Sequence, residues 1–292
     1  MSDDLRVVFQ SSNRTDCSDR ALVLAAVQIP FEIVGDTMSC ALVVPAEFSA
    51  QAMHQLTQYD DENPPVIVAK PVPIVYQNAL PGFLGYALTI CGIAAIVTSA
   101  SLTQDWYLAG RVDGALIRDG EWWRTVTALT LHSGLQHLVG NLGFGLLFGL
   151  FAGRLLGSGV AWLAILVAAT AGNVLNTLLL ESTHRSVGAS TAVFAALGLV
   201  AGYVWRSKLM RQDHWPYRVG PIVGGFALLM YTGTGTENTD VGAHLMGFLS
   251  GLTGGILLAA VRNRLLSPRL QLGCGLAAMI VVLGAWLAAL QS

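Results

Sequence analysis

The sequence predicts an all-α polytopic membrane protein with seven transmembrane helices, preceded by a small soluble α/β head, and three observations carry that prediction. Of its 292 residues 53% are hydrophobic and only 12% charged, with a mean hydropathy of +0.58. Soluble domains carry about 25% charged residues. Beyond residue 79 the chain repeats apolar runs, most of them near the ~20 residues needed to cross ~30 Å of hydrocarbon. The charge is also divided: residues 1–62 hold ten of the eighteen acidic side chains against three arginines, and the remainder is net basic. An acidic soluble head on a basic membrane body follows. No stretch has the Lys and Arg density of a nucleic-acid-binding protein, so nucleic acid is not an expected partner.

The head, residues 1–62, alternates β-like runs at Arg6 to Gln10, Phe31 to Val34 and Ala41 to Val44 with helical patterns around "SDRALVLAAV" and "AEFSAQAMHQLTQY". This is a β-α-β-β-α unit. It resembles the short ferredoxin-like domains of the DUF2007 type, which are often fused to bacterial membrane proteins; the resemblance implies a regulatory role and a cytoplasmic regulator as partner. Residues 63–78, centred on the proline-rich "NPPVIVAKPVPIV", read as an extended linker. The membrane domain, 79–292, contains apolar segments at 80–101, 135–153, 160–180, 189–205, 219–233, 241–261 and 270–290. The fifth is short and glycine-rich.

Orientation follows from the loops. Arg206, Lys208, Arg211 and Arg218 lie between the fourth and fifth segments, and Arg262, Arg264 and Arg269 between the sixth and seventh, whereas "TGTGTENTD" has no Lys or Arg. The positive-inside rule then places the head in the cytoplasm and the C-terminus outside. Arg111, Arg118 and Arg124, between the first two spans, are offset by four acidic residues; Trp106, Tyr107, Trp122 and Trp123 suit a segment in the headgroup zone. The N-terminus lacks the basic and apolar regions of a signal peptide. Cys17, Cys40, Cys91 and Cys274 show no motif or recurring spacing, so all four are expected as packing residues, without a disulfide or a metal site.

With this topology the second, fourth and sixth spans run in the same direction, and their N-terminal ends share a leaflet. His137 and Asn141 fall in the first turns of the second span, Ser190 opens the fourth and His244 lies in the first turn of the sixth. Polar groups inside lipid are costly and face a bundle interior or a wet cavity, so three such ends at one depth suggest a common site. A hydroxyl needs a base to act as a nucleophile, and histidine matches that task near neutral pH. Acyl transfer also needs donors aimed at the oxyanion. His137 and Asn141, four residues apart on one helical face, and the Ser190 amide could supply them.

The stretches "LHSGLQHLVGN", "GAST" and "GAHLMGFLSG" are similar to the signatures of the rhomboid intramembrane serine proteases, and "GEWWRTVTALTLH" resembles the Trp-Arg segment leading into their second span. The resemblance covers roughly residues 80–261. It implies a rhomboid-like helical bundle in the six-plus-one arrangement, with Ser190 as nucleophile, His244 as general base, and His137 and Asn141 as oxyanion donors. His132, Gly188 and Gly247 would support the site, Gly247 and Gly251 letting the sixth span approach the fourth. Substrates would be single-span or multi-span membrane proteins in the lipid bilayer, in a bacterial inner membrane, with no cofactor. Two positions depart from the family pattern: Thr191 replaces a glycine after the serine, and Arg154 stands where Glu is common.

Other readings remain open beside this one. Taken singly, Ser190 is a helix cap, His244 and Asn141 are packing contacts, and Asp240 caps the sixth span or orients His244. Phe194, one turn beyond Ser190, packs against the His244 ring or in the core. A catalytically inactive rhomboid-like protein that binds transmembrane helices is the main alternative. A zinc protease would need H-E-x-x-H, but His132 and His137 are five apart with no Glu between them. An aspartyl protease would need Asp within spans, and a transporter would need a polar path and repeats; none of these is found. His54 and His214 are assigned no chemistry.

Overall fold

The structure is a computed structural model that describes residues 4–35, 39–64, 76–99, 105–179, 183–207, 215–233 and 240–292. It divides into two compact units, Met1–Lys70 and Pro71–Ser292. Most of the expected linker, residues 65–75, lies outside the described residues, as do Lys208, Arg211 and His214.

In the first unit β1 (Leu5–Ser11), α1 (Arg14–Ala26), β2 (Glu32–Gly35), β3 (Cys40–Pro45) and α2 (Ser49–Glu62) follow the expected order. The strands form an antiparallel sheet in the order β1-β3-β2, and both helices pack on it. This is a ferredoxin-like unit short of its final strand. Asn13 caps α1 by accepting the Thr15 amide, and Cys17, Leu24, Leu42, Val44, Ala52 and Leu56 form the core. The expectation of four isolated cysteines fails here, because Cys17 and Cys40 form a disulfide. Docking α1 on β3 brings their Cα atoms to 6.6 Å across 23 residues, a proximity that no local spacing encodes. Cys91 and Cys274 are free.

The second unit begins with α3 (Leu80–Val97). A folded segment follows, made of α4 (Trp106–Gly110), β4 (Val112–Asp113), α5 (Gly114–Arg118) and α6 (Arg124–Thr127). Then come α7 (Leu135–Leu156), α8 (Ser158–Leu179), β5 (Arg185–Ser186), α9 (Ser190–Ser207), α10 (Trp215–Gly233), α11 (Val241–Ala260) and α12 (Pro268–Ala289). All seven expected apolar segments are thus helical. Five of these helices, α3, α7, α8, α11 and α12, are long and apolar enough to cross a bilayer. The remaining two are α9 and α10, the latter with a shorter apolar stretch, Val219–Tyr231.

Helix α9 is the centre of the bundle, with α7, α8, α10 and α11 around it. Its closest partner is α11, and glycines explain the approach. A Cβ added at Gly251 would lie 2.0 Å from the Ala195 carbonyl oxygen, and one at Gly198 2.1 Å from that of Phe248. Side chains on either helix would force the backbones apart, so this is small-residue packing without a hydrophobic driving force. The segment between α3 and α7 is held by Arg124, 6% exposed. Its guanidinium donates to the carbonyls of Leu108 (2.8 Å) and Arg111 (3.1 Å) and to Glu121 (2.6 Å). Asn173 of α8 donates to the Thr125 carbonyl (2.8 Å). Arg154 is exposed in the last turn of α7, at the far end from that segment.

Candidate active site

The chain enters α9 through a turn with Gly188 at φ +141°, a conformation that side-chain-bearing residues rarely adopt. The Gly188 amide is tied to the Ala128 carbonyl (3.0 Å), and β5, just before the turn, pairs with β4. Ser190, half-buried, is the first residue of α9, so its amide is one of the donors that a helix start leaves without an intrahelical acceptor.

A side chain at Gly188 would occupy a space bordered by two of the expected groups. Its Cβ would lie 2.7 Å from His137 Cε1, 2.8 Å from His137 Nε2 and 3.4 Å from Ser190 Oγ. The imidazole of α7 and the hydroxyl of α9 therefore face one small volume that only glycine leaves open. The other ring nitrogen of His137, Nδ1, bonds the Ser133 hydroxyl at 3.0 Å. Asn141, one turn further along α7, is 7% exposed, and its Nδ2 has no hydrogen-bond partner among the described residues. Burying such a donor costs about 1–3 kcal/mol, which an incoming acceptor would recover. The Asn141 backbone carbonyl accepts from Tyr86 (2.9 Å).

His132 packs edge-on against His137 with ring centroids 5.3 Å apart. Burial, with the nearby His137 adding to it, pulls the His132 pKa down to about 4, so this ring is neutral at ordinary pH. His244 is 6% exposed in the first turn of α11. Its ring lies 4.5 Å from that of Phe194, one turn along α9 from Ser190. The Gly247 Cα, three residues on, lies against α8, and a Cβ there would stand 2.5 Å from the Thr191 carbonyl and 3.0 Å from Thr191 Cγ2. The departure at Thr191 is thereby accommodated: its methyl group lies where Gly247 has no side chain.

Asp240 is the N-cap of α11, accepting from the Ala243 amide at 3.0 Å. Its carboxylate has partners that sequence reading did not connect with it. Asn176 of α8 donates to both oxygens (3.0 and 3.1 Å), and His184 Nε2 lies 2.8 Å from Oδ2. The signal for Asn176 was available, since an asparagine in an apolar span demands a polar partner. His184 offered none, being 56 residues away in a loop.

Chemically, this end of the bundle offers a hydroxyl, a buried imidazole on a neighbouring helix, two side-chain donors and a helix-start amide. Comparison with known proteins points the same way. Residues 119–261 match the family model described as the Rhomboid domain. The chain is similar to rhomboid protease GluP of Bacillus subtilis, 26% identical over 265 residues, which is 89% of this chain and 46% of GluP; the chain thus spans about half the length of that relative. YdcA of the same organism, a rhomboid by name, is 31% identical over 144 residues, 49% of this chain and 68% of YdcA. Rhomboid-like protease 3 of Toxoplasma gondii is 30% identical over 175 residues, 56% of this chain and 65% of that protein.

Proposed function

The chain belongs to the rhomboid family of multi-pass integral membrane proteins, and from that premise we propose that it is an intramembrane serine endopeptidase cleaving transmembrane segments of membrane-protein substrates. The observation that supports this most is the shared space beside Gly188, bordered by Ser190 Oγ and His137 Nε2.

In this reading Ser190 Oγ attacks the scissile carbonyl carbon while His244 takes the hydroxyl proton and later delivers it to the leaving amine. The carbonyl oxygen becomes an oxyanion and receives hydrogen bonds from the Asn141 Nδ2, the His137 Nε2–H and the Ser190 amide. The Ser133 hydroxyl fits that tautomer: when it donates to Nδ1, the His137 proton is on Nε2, the ring nitrogen that borders the Gly188 space. The Asn141 amide, without a partner among the described residues, is a donor held ready for charge that develops in the transition state. Water for deacylation reaches the half-buried serine from the outer face, with the head and the basic loops in the cytoplasm of a bacterial cell.

Helix α10 is the gate through which a substrate helix enters. It contains Pro221, and it stands off α9 around an apolar cleft of about 460 Å³ lined by Leu197, Val200, Ala201, Val204, Pro216, Gly220 and Pro221. The N-terminal unit is the docking point for a cytoplasmic regulator.

The test is cleavage of a single-span model substrate in liposomes together with labelling by a fluorophosphonate. Ser190→Ala is expected to lose both, with cleavage down by about 10⁴-fold or more. Cleavage by the alanine variant at more than a tenth of the native rate would remove Ser190 from the mechanism.

A further inference from the structure

The carboxylate that opens α11 is held from three sides, and the bond set joins α11, which carries the candidate base, to α8 and to the segment that leads into Ser190. We propose that Asp240, clamped by His184 and Asn176, is a positioning residue for His244: it fixes the first turn of α11 against the segment that leads into Ser190. This inference rests on the catalytic reading above and extends it to residues that touch no substrate.

Asp240 holds that turn twice. Its Oδ1 accepts from the Ala243 amide (3.0 Å), and its backbone carbonyl accepts from the His244 amide itself (3.1 Å). A tilt of the Asp240 side chain is therefore passed to His244 through one turn of helix. The carboxylate is in turn fixed by Asn176, only 3% exposed on α8, and by His184 in the segment that continues through β5 into Gly188 and Ser190. Gly242 closes the arrangement, since a Cβ there would lie 2.3 Å from Asn176 Oδ1. The segment with His184 is itself anchored: the His184 carbonyl accepts from the Gly114 amide (3.0 Å). The His184–Asp240 ion pair thus links the segment before α9 to the start of α11, and the Asn176 amide ties both to α8.

Among the described residues, the charged and polar groups around the pair have partners of their own or join it. Ser186 of β5 also donates to Asp240. Arg185 is turned to Asp113 (3.0 Å), which Arg111 approaches at 3.9 Å, and Arg118 of α5 donates to the Thr177 carbonyl of α8. Among the described residues Asp240 is therefore the carboxylate facing His184. Burial alone would raise the Asp240 pKa, but the His184 bond, the Ala243 amide and the His184 charge hold it at about 2. The bond to Asp240, against partial burial and with the aid of the carboxylate charge, raises the His184 pKa above its ordinary value.

The sign follows from linkage. A raised imidazole contributes fully below its unfolded pKa near ~6.5 and loses that contribution as pH rises through its folded value. The lowered carboxylate contributes above about 3.9 and fails only as pH falls towards its folded value. The ion pair is therefore complete below ~6.5 and decays as pH rises through the raised His184 value. A general base gains activity as it deprotonates, and loss of the clamp opposes that gain as pH rises through the raised His184 value.

The experiment uses the full chain in nanodiscs, with the rate of fluorophosphonate labelling of Ser190 measured against pH and imidazole resonances followed by NMR. Wild type is expected to show that opposing fall. His184→Gln keeps a donor but cannot titrate; its labelling should be about tenfold slower and flat where wild type falls. Asp240→Asn keeps the helix cap, and should return the His184 pKa towards its ordinary value and shift the His244 resonances. A His184→Gln profile with the wild-type fall, or His244 resonances unmoved in Asp240→Asn, overturns the proposal. If wild type is never labelled, the catalytic reading fails, and the NMR arm still decides the clamp: a His244 resonance that does not inflect at the His184 pKa refutes it.

Discussion

Helices α9 and α12 are both apolar, yet they occupy opposite situations. Twelve of the eighteen residues of α9 are buried, from Thr191 to Ser207, and α9 is the helix that opens with Ser190. Helix α12 has the highest mean hydropathy of the five spans, 2.2, and only 17% of its apolar window is buried. Leu272, Met279, Ile280, Leu283 and Leu287 all stand at 60% exposure or more. The contrast shows what hydropathy measures in a membrane protein: contact with lipid, not depth in the protein. A helix enclosed by other helices needs small residues, whereas one bathed in acyl chains needs large apolar ones. The candidate site sits on the less hydrophobic helix because a polar group is tolerable only where protein replaces lipid.

The sharpest way to break this comparison is to enlarge one glycine on each side of it. Gly251→Val puts side-chain atoms where the Ala195 carbonyl already lies, and should cost about 3 kcal/mol or more. Gly284→Val, on α12 with nothing within 4 Å, should stay within about 0.5 kcal/mol. Unfolding free energies in mixed micelles measure both, and equal losses would erase the distinction between enclosed and lipid-facing helices.

A second variant tests where α12 is held at all. Gln271 accepts from the amides of Gly159 (2.9 Å) and Val160 (3.2 Å), and donates to the carbonyls of Leu156 (2.8 Å) and Leu265 (2.6 Å). It thereby satisfies the start of α8 and the end of α7 together. Gln271→Leu should cost about 1–3 kcal/mol by leaving these groups unpaired. A neutral result would mean that α12 is held instead by Trp286, whose Nε1 donates to Thr130 (3.1 Å). An effect as small as that of Gly284→Val is expected from Ile280→Ala, 67% exposed, within about 0.5 kcal/mol in the same assay.

Much of the architecture was legible because the signals are local. A run such as Leu135 to Leu156 announces a span by length and composition alone, and the β-α-β-β-α order of the head is readable from periodicity and turn residues. The candidate site was legible for a related reason: His137 and Asn141 share a helix face, and Ser190 and His244 each sit at the start of an apolar run. Three features escaped notice for want of a local signal. Cys17 and Cys40 meet only once α1 lies on β3. His184 finds Asp240 across 56 residues. The Thr191 methyl group finds room only because Gly247 stands opposite it.

By itself the sequence determined that apolar helices would form and that several would begin with polar groups at one end, because backbone hydrogen bonds in lipid can be satisfied within a single helix, residue by residue. Only the tertiary structure decided that α9 would be enclosed, that Gly188 would leave room between His137 and Ser190, and that Asp240 would be gripped from α8 and from the turn before α9. Those outcomes depend on distances between atoms far apart in the chain. Such distances are set by how closely small residues let backbones approach, a property of pairs of helices that neither helix carries alone.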